Sequence, residues 1–277
     1  MVIKMAKRKL RFKKSIIRFF ILVVPLPLLV FSTYEIINYL IDSPKTKEII
    51  TEVIDNTEVM EYESDKAEII ETEEEHPDTP YWNFIKMNLI DVNFNELKRT
   101  NNDTVAWIYL GGTNVNYPVV QTNNNDYYLT HSFDKSENEA GWLFMDYRNN
   151  KDEYKENTII YAHNRKDKTM FGSLDELLTN NWYNNEDNRV IKMSSETNNT
   201  LWQIFSVYVI ETTNDYIRTY FENTIDYQEF LNLIKGRSYR NFNTSVNTND
   251  KVLTLSTCHG KTKKLVVHAK LIKIEAK

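Results

Sequence analysis

Val252-Leu253-Thr254-Leu255-Ser256-Thr257-Cys258 is the stretch from which the fold can be read. Successive side chains of a β-strand point to opposite faces, so Leu253 and Leu255 are the core candidates, while Thr254, Ser256 and Cys258 share a polar, accessible side. The same pattern, short β-branched and aromatic runs broken by Gly and Asn/Asp clusters, recurs at Val105 to Leu110, Val115 to Val120, Gly141 to Met145, Asn157 to His163, Arg189 to Met193, Leu201 to Ile210 and Leu265 to Ile274. Between the sixth and seventh of these eight runs, Tyr227 to Lys235 carries Phe230, Leu231 and Ile234 at helical spacing. Helical patterning also covers Tyr81 to Leu89 and Phe94 to Lys98. The expectation is a mainly β domain over residues 80–277, a barrel or sandwich with peripheral helices.

Upstream the character of the chain changes twice. Residues 1–34 hold eight basic residues and no acid, and the uninterrupted apolar run Phe19 to Phe31 continues past Glu35 through Ile36, Ile37, Leu40 and Ile41. That is a membrane-crossing length, with no small-residue cleavage site of the kind that ends a signal peptide. The reading is a basic cytoplasmic tail (1–15) and a single transmembrane signal anchor (16–41). Positive charge inside then puts the rest of the chain outside the cell membrane. Residues 42–79 carry 14 acidic residues against three lysines. Such a segment buries too little apolar surface to fold alone, so it is expected as an acidic stalk, with Ile49, Ile50, Val53 and Ile54 spaced for a short helix.

One cysteine in 277 residues excludes a disulfide scaffold, a CxxC redox pair and a multi-cysteine zinc site. No metal or cofactor is expected. A net charge of -5 argues against nucleic acid as partner. Cys258 is followed by His259-Gly260-Lys261-Thr262-Lys263-Lys264, and nearby positive charge favours the thiolate, which is the nucleophile. A buried free cysteine or an ordinary lysine-rich turn would look the same in sequence. A nucleophilic cysteine also needs a proton carrier. Among the five histidines, His76 falls in the stalk, His268 inside a strand, and His259 beside Cys258, where strand geometry points neighbours apart. His131 and His163 remain.

Several motifs in order resemble the class B sortases, cysteine transpeptidases of Gram-positive bacteria. Thr254 to Cys258 matches their TLSTC signature, and Tyr161-Ala162-His163-Asn164 looks like their YGHN strand end with Ala in place of Gly. Trp107-Ile108, Tyr117 to Gln121, Asn125 to Leu129, Gly141 to Asp146 and Met170 to Leu174 are further matches, so that the likeness covers about residues 81–275. It implies an eight-stranded β-barrel with N-terminal helices and a helix between strands six and seven. It also implies a membrane-anchored enzyme whose cysteine attacks an NPxTx-type sorting signal after Thr, forms a thioester, and passes the acyl group to a peptidoglycan amine, anchoring surface proteins to the cell wall. Carried over by position, Cys258 is the nucleophile and His163 the acid–base residue, while Asn125, Leu129, Tyr161, Ser256 and Thr257 line the peptide groove. The implied partners are surface proteins with a C-terminal sorting signal, a peptidoglycan precursor or cross-bridge amine, and the membrane.

One position departs from the family. A catalytic Arg is expected before the last strand's hydrophobic-Val-Val run, and Lys264 stands there, ahead of Leu265-Val266-Val267. Arg offers a planar fork and Lys a mobile point charge. Either Lys264 takes the role, or Lys261, Lys263, Arg237 or Arg240 reaches the site, or activity is weak. The rival functions are therefore a class B pilin polymerase and a binding module that keeps the groove without turnover.

Overall fold

The computed structural model describes residues 25–70, 79–260 and 262–277. The chain divides into two units, Met1–Lys45 and Thr46–Lys277. In order, its elements are α1 (Pro25–Asp55), β1 (Val59–Tyr62), β2 (Glu68–Ile69), α2 (Tyr81–Phe84), β3 (Leu89–Val92), α3 (Phe94–Thr100), β4 (Thr104–Leu110), β5 (Asn116–Val120), β6 (Phe144–Met145), β7 (Asn157–Tyr161), α4 (Asn180–Asn184), β8 (Val190–Ser195), β9 (Asn198–Glu211), α5 (Thr224–Gly236), β10 (Val252–His259) and β11 (Lys263–Ala276).

Eight strands close on themselves in the order β10-β7-β6-β5-β4-β8-β9-β11, with β11 returning to β10. Neighbours are antiparallel except β5 with β6 and β7 with β10. These eight are the runs expected from the sequence, and the barrel is confirmed over the sandwich. Closure requires strands to bend, and the longest pair does so at irregularities between His268 and Ala269 and between Leu271 and Lys273. The interior packs Trp107, Trp142, Trp202, Ile204, Leu253, Leu255 and Val267, all within 1% of full burial. α5 lies where expected, between the sixth and seventh barrel strands. Asn223 caps it by accepting from the amides of Ile225 and Asp226, both at 3.0 Å. Its stripe of Tyr227, Phe230, Leu231 and Ile234 packs in one cluster with Phe205, Tyr208, Val252 and Val266 on the outer face of the barrel.

That covering corrects one reading. Thr254 and Ser256 are buried (0% and 4% exposed), as are Leu253 and Leu255, because both faces of β10 are packed. Only the strand end is open, and Cys258 is exposed there.

The acidic segment also differs from a solvated stalk where it is described. From Thr46 it belongs to the barrel's unit. Thr46, Ile49 and Val53 are buried along the second part of α1, β1 pairs with β3, and β2 adds to the edge of β11. Its acids meet cations of the barrel, Glu61 bonding Lys192. Pairing with β1 explains why the helix expected over Tyr81 to Leu89 stops at Phe84: Leu89-Ile90-Asp91-Val92 is taken up as a strand. Likewise the run expected over Gly141 to Met145 pairs only at Phe144–Met145. The basic tail, residues 16–24 of the expected anchor, residues 71–78 and Lys261 lie outside the described residues. Among the described residues, no helix is long and apolar enough to cross a membrane.

Candidate active site

At one end of the barrel, β7 and β10 stop side by side. Their parallel register sets Ser256 against Tyr161, so Cys258 and His163 each sit two residues beyond the same pair. Thr257 fastens these ends by donating from Oγ1 to the Ala162 carbonyl at 2.7 Å. Across the other ladder, antiparallel pairing makes Lys264 the direct partner of Cys258, and Lys264 Nζ lies 3.1 Å from Cys258 Sγ. The three side chains open into one cleft of about 340 Å³, whose wall also includes Asn125, Leu129, Tyr161, Ser256 and Thr257. All eight residues singled out from the sequence therefore meet here.

The imidazole of His163 is aimed by a backbone group. Its Nε2 donates to the Leu129 carbonyl at 2.8 Å, since a carbonyl can only accept. Gly141 makes that approach possible. It adopts φ +58°, and a Cβ there would lie 2.5 Å from the Tyr128 carbonyl, 2.9 Å from that of Leu129 and 3.0 Å from the His163 ring. Both the backbone conformation and the space demand glycine.

The groove wall is held from behind. Tyr161 stacks at a tilt on Phe144, ring centroids 5.3 Å apart, and its hydroxyl donates to Asp146 Oδ2 at 2.9 Å. Asp146 has no exposed side-chain surface and is gripped by Arg148 through Nε (2.8 Å) and Nη2 (2.6 Å). Burial alone would raise the Asp146 carboxyl, but hydrogen bonds from Arg148 and Tyr161 outweigh it and hold the group below the usual carboxylate range. Burial, reinforced by the Asp146 charge, pushes the Tyr161 phenol upward, so it stays a neutral donor. Asn125 accepts from the Tyr147 amide at 3.0 Å. Opposite, Tyr216 reaches the Ser256 hydroxyl at 3.0 Å.

The remaining candidates are engaged elsewhere. His131 stacks on Tyr127, His259 faces Asp175, and His268 is fully buried; His76 lies outside the described residues. Arg237 is paired through two bonds with Asp215. Arg240 bonds the Leu178 carbonyl and Asn180. Lys263 lies near Glu211 at 3.7 Å. Thr212, Thr213, Asn214, Tyr216 and Ile217 complete the cleft from the loop after β9, and no periodicity in the sequence marked them. Gly141 was readable only as part of a motif, although an isolated glycine before a buried aromatic run is itself a sign of close backbone approach. Together the arrangement offers an accessible thiol, a cation at its sulfur and a positioned imidazole in one open cleft.

The sortase domain family matches residues 108–272. The chain is 40% identical over 185 residues to Sortase B of Staphylococcus aureus, covering 65% of this chain and 75% of that protein. It is 38% identical over 165 residues to Sortase B of Listeria monocytogenes, covering 59% and 65%. Among solved structures, a Staphylococcus aureus sortase B–substrate complex superposes with a TM-score of 0.61 at 40% identity, covering 65% of this chain and 84% of that one. Sortase B from B. anthracis in complex with AAEK1 superposes with a TM-score of 0.66 at 30% identity, covering 86% and 99%.

Proposed function

We propose the following function for a chain that belongs to the sortase family, as a class B cysteine transpeptidase acting on sorting signals. The substrate is a surface protein with an NPxTx-type signal near its C-terminus, cut after Thr. The acceptor is an amine of peptidoglycan. The site of work is the outer face of the cell membrane, with residues 16–41 as anchor and the N-terminus in the cytoplasm. The observation that carries the catalytic reading is the 3.1 Å contact between Lys264 Nζ and Cys258 Sγ in a cleft that His163 also lines. The thiolate is the nucleophilic form of a cysteine, and Lys264 Nζ stands at the sulfur that must carry that charge during attack. Attack of Sγ on the Thr carbonyl creates an oxyanion, and Lys264 supplies the positive charge for it. His163 gives a proton to the leaving amine and later takes one from the incoming amine. The Tyr161–Asp146–Arg148 chain, with its carboxylate buried, keeps the groove wall rigid while the peptide docks.

The test is intact-protein mass spectrometry of the full-length chain in detergent with an NPxTx peptide. The expected result is a mass gain equal to the acyl fragment in the parent and none in Cys258→Ala, a loss of more than about 10⁴-fold in rate by analogy with removal of other nucleophiles. Persistence of the adduct in Cys258→Ala would remove that residue from the mechanism, and no adduct in the parent would refute the proposed signal. The anchor is tested separately by cell fractionation. The full chain should sediment with membranes and a chain lacking residues 16–41 should not; identical partitioning would refute the anchor.

A further inference from the structure

An amine beside a thioester is a nucleophile as well as a charge. Lys264 faces Cys258 directly across the β10–β11 ladder, with Nζ 3.1 Å from Sγ. An acyl group on Sγ has its carbonyl carbon one bond from the sulfur, so that the amine and carbon need no backbone movement to reach the ~3–3.5 Å separation of a poised pair. The guanidinium that the family resemblance leads one to expect at this position is always charged and cannot be acylated in this way. From this juxtaposition we infer that Lys264 intercepts the acyl-enzyme, drawing the acyl group from Cys258 onto its own Nζ as a stable amide. The step rests on the acyl-enzyme reading of the cleft.

The chemistry balances without a co-reactant. The Lys264 ammonium gives a proton to water, the amine adds to the thioester carbonyl, the C–N bond forms as the C–S bond breaks, and the nitrogen's second proton passes to the departing sulfur, so that Cys258 leaves as thiol. Thioester and amine become amide and thiol. The surroundings favour this once the sulfur is acylated. Among the described residues no carboxylate lines the cleft, and the titratable groups that share it with the pair are Tyr161, His163 and Tyr216. On the adjoining strand β9 the partner of Lys264 is Ile210, while Glu211 faces Lys263 instead. Within the cleft it is the Cys258 sulfur that Lys264 Nζ bonds, and acylation of that sulfur takes the acceptor away. The amide competes with the acceptor amine, and each chain that follows this route is spent after one acyl group.

The experiment acylates the full-length chain without acceptor amine, using two donors in parallel: p-nitrophenyl acetate, an activated ester that needs no sorting motif, and the NPxTx peptide. Neutral hydroxylamine then cleaves thioesters and spares amides, and peptide mapping locates what survives. The expected result is a resistant adduct on Lys264 with either donor, at least tenfold more abundant in the parent than any resistant adduct at this position in Cys258→Ala, and absent from Lys264→Arg, which has no amine at this position. An adduct that is wholly hydroxylamine-labile in the parent overturns the inference, as does a Lys264 amide undiminished in Cys258→Ala. Transfer with the ester and no adduct of either kind with the peptide upholds the inference and refutes the sorting-signal reading. Failure of both donors to acylate Cys258 overturns both.

Discussion

Strand β10 runs from a buried polar centre at Thr254 to an open reactive end at Cys258, and a histidine stands by each. His268 bonds Thr254 through Nδ1 and Tyr208 through Nε2, each at 2.9 Å. The Thr254 hydroxyl donates to Asn157 Oδ1 at 2.6 Å, so its oxygen accepts from the imidazole, and the phenol donates to the other nitrogen. Both ring nitrogens are satisfied in the neutral form. Burial, with the charge of Arg237 adding to it, lowers the pKa of His268 to about 3. His163, bonded to the Leu129 carbonyl at Nε2, stands instead in the wall of an open cleft. The two neighbourhoods share strand β10 and differ in cover: His268 has both ring nitrogens bonded inside the fold, while His163 has one orienting bond and stands at the open cleft.

The contrast breaks most sharply if substitution at the two histidines has the same outcome. His163→Ala should lower kcat/KM by about 10²–10⁴-fold, the usual worth of acid–base catalysis, with an unchanged urea midpoint. A loss under tenfold would remove the imidazole from the chemistry. His268→Ala should do the reverse, costing about 1–3 kcal/mol by leaving Thr254 and Tyr208 short of partners while a folded fraction keeps its kcat/KM within a few-fold. pH sharpens the point. The folded pKa of His268 lies below its ordinary value of 6.5, so its contribution is fully present above pH 6.5 and is lost as pH falls toward 3. The limiting slope is about 1.4 kcal/mol per pH unit from this one group. Urea melts at pH 7 and pH 5 should show a smaller acid loss in His268→Ala than in the parent, and equal losses would contradict a buried neutral ring. The smallest effect is expected at the groove wall. Tyr161→Phe removes the bond to Asp146 but keeps the ring against Phe144, and since Arg148 still holds the carboxylate, the expected change is about 1 kcal/mol in stability and a three- to tenfold fall in kcat/KM. A hundredfold fall would mean that the hydroxyl itself contacts the substrate.

Strand content was legible because alternation is a local signal: all eight barrel strands and α5 could be marked without tertiary information. So could Cys258 at an open strand end, and the histidine choice as far as His131 or His163. What escaped notice depends on partners far away in the chain. Thr254 and Ser256 read as surface residues because their covering, α5 and Tyr216, arrives from other segments. Val59–Tyr62 read as solvated, since four residues with one acid among them show their strand character only beside Leu89–Val92. The helix expected over Tyr81 to Leu89 failed for the same reason, tertiary pairing overriding local pattern. In the cleft, the strand-borne residues followed from motifs, whereas Thr212 to Ile217 come from a loop whose position is set by what it packs on.

The fastening of residues 46–70 has a mechanical side. Traction on the chain ahead of Thr46 would be taken up first by the buried Ile49 and Val53 and by the β1–β3 ladder, before it reached β2 and its short pairing with β11. The barrel thus carries its own strain relief, as a cable is clamped ahead of its connector. A pull from that side would be spent on these contacts first, while the spacing between Cys258, Lys264 and His163 stayed as the barrel sets it.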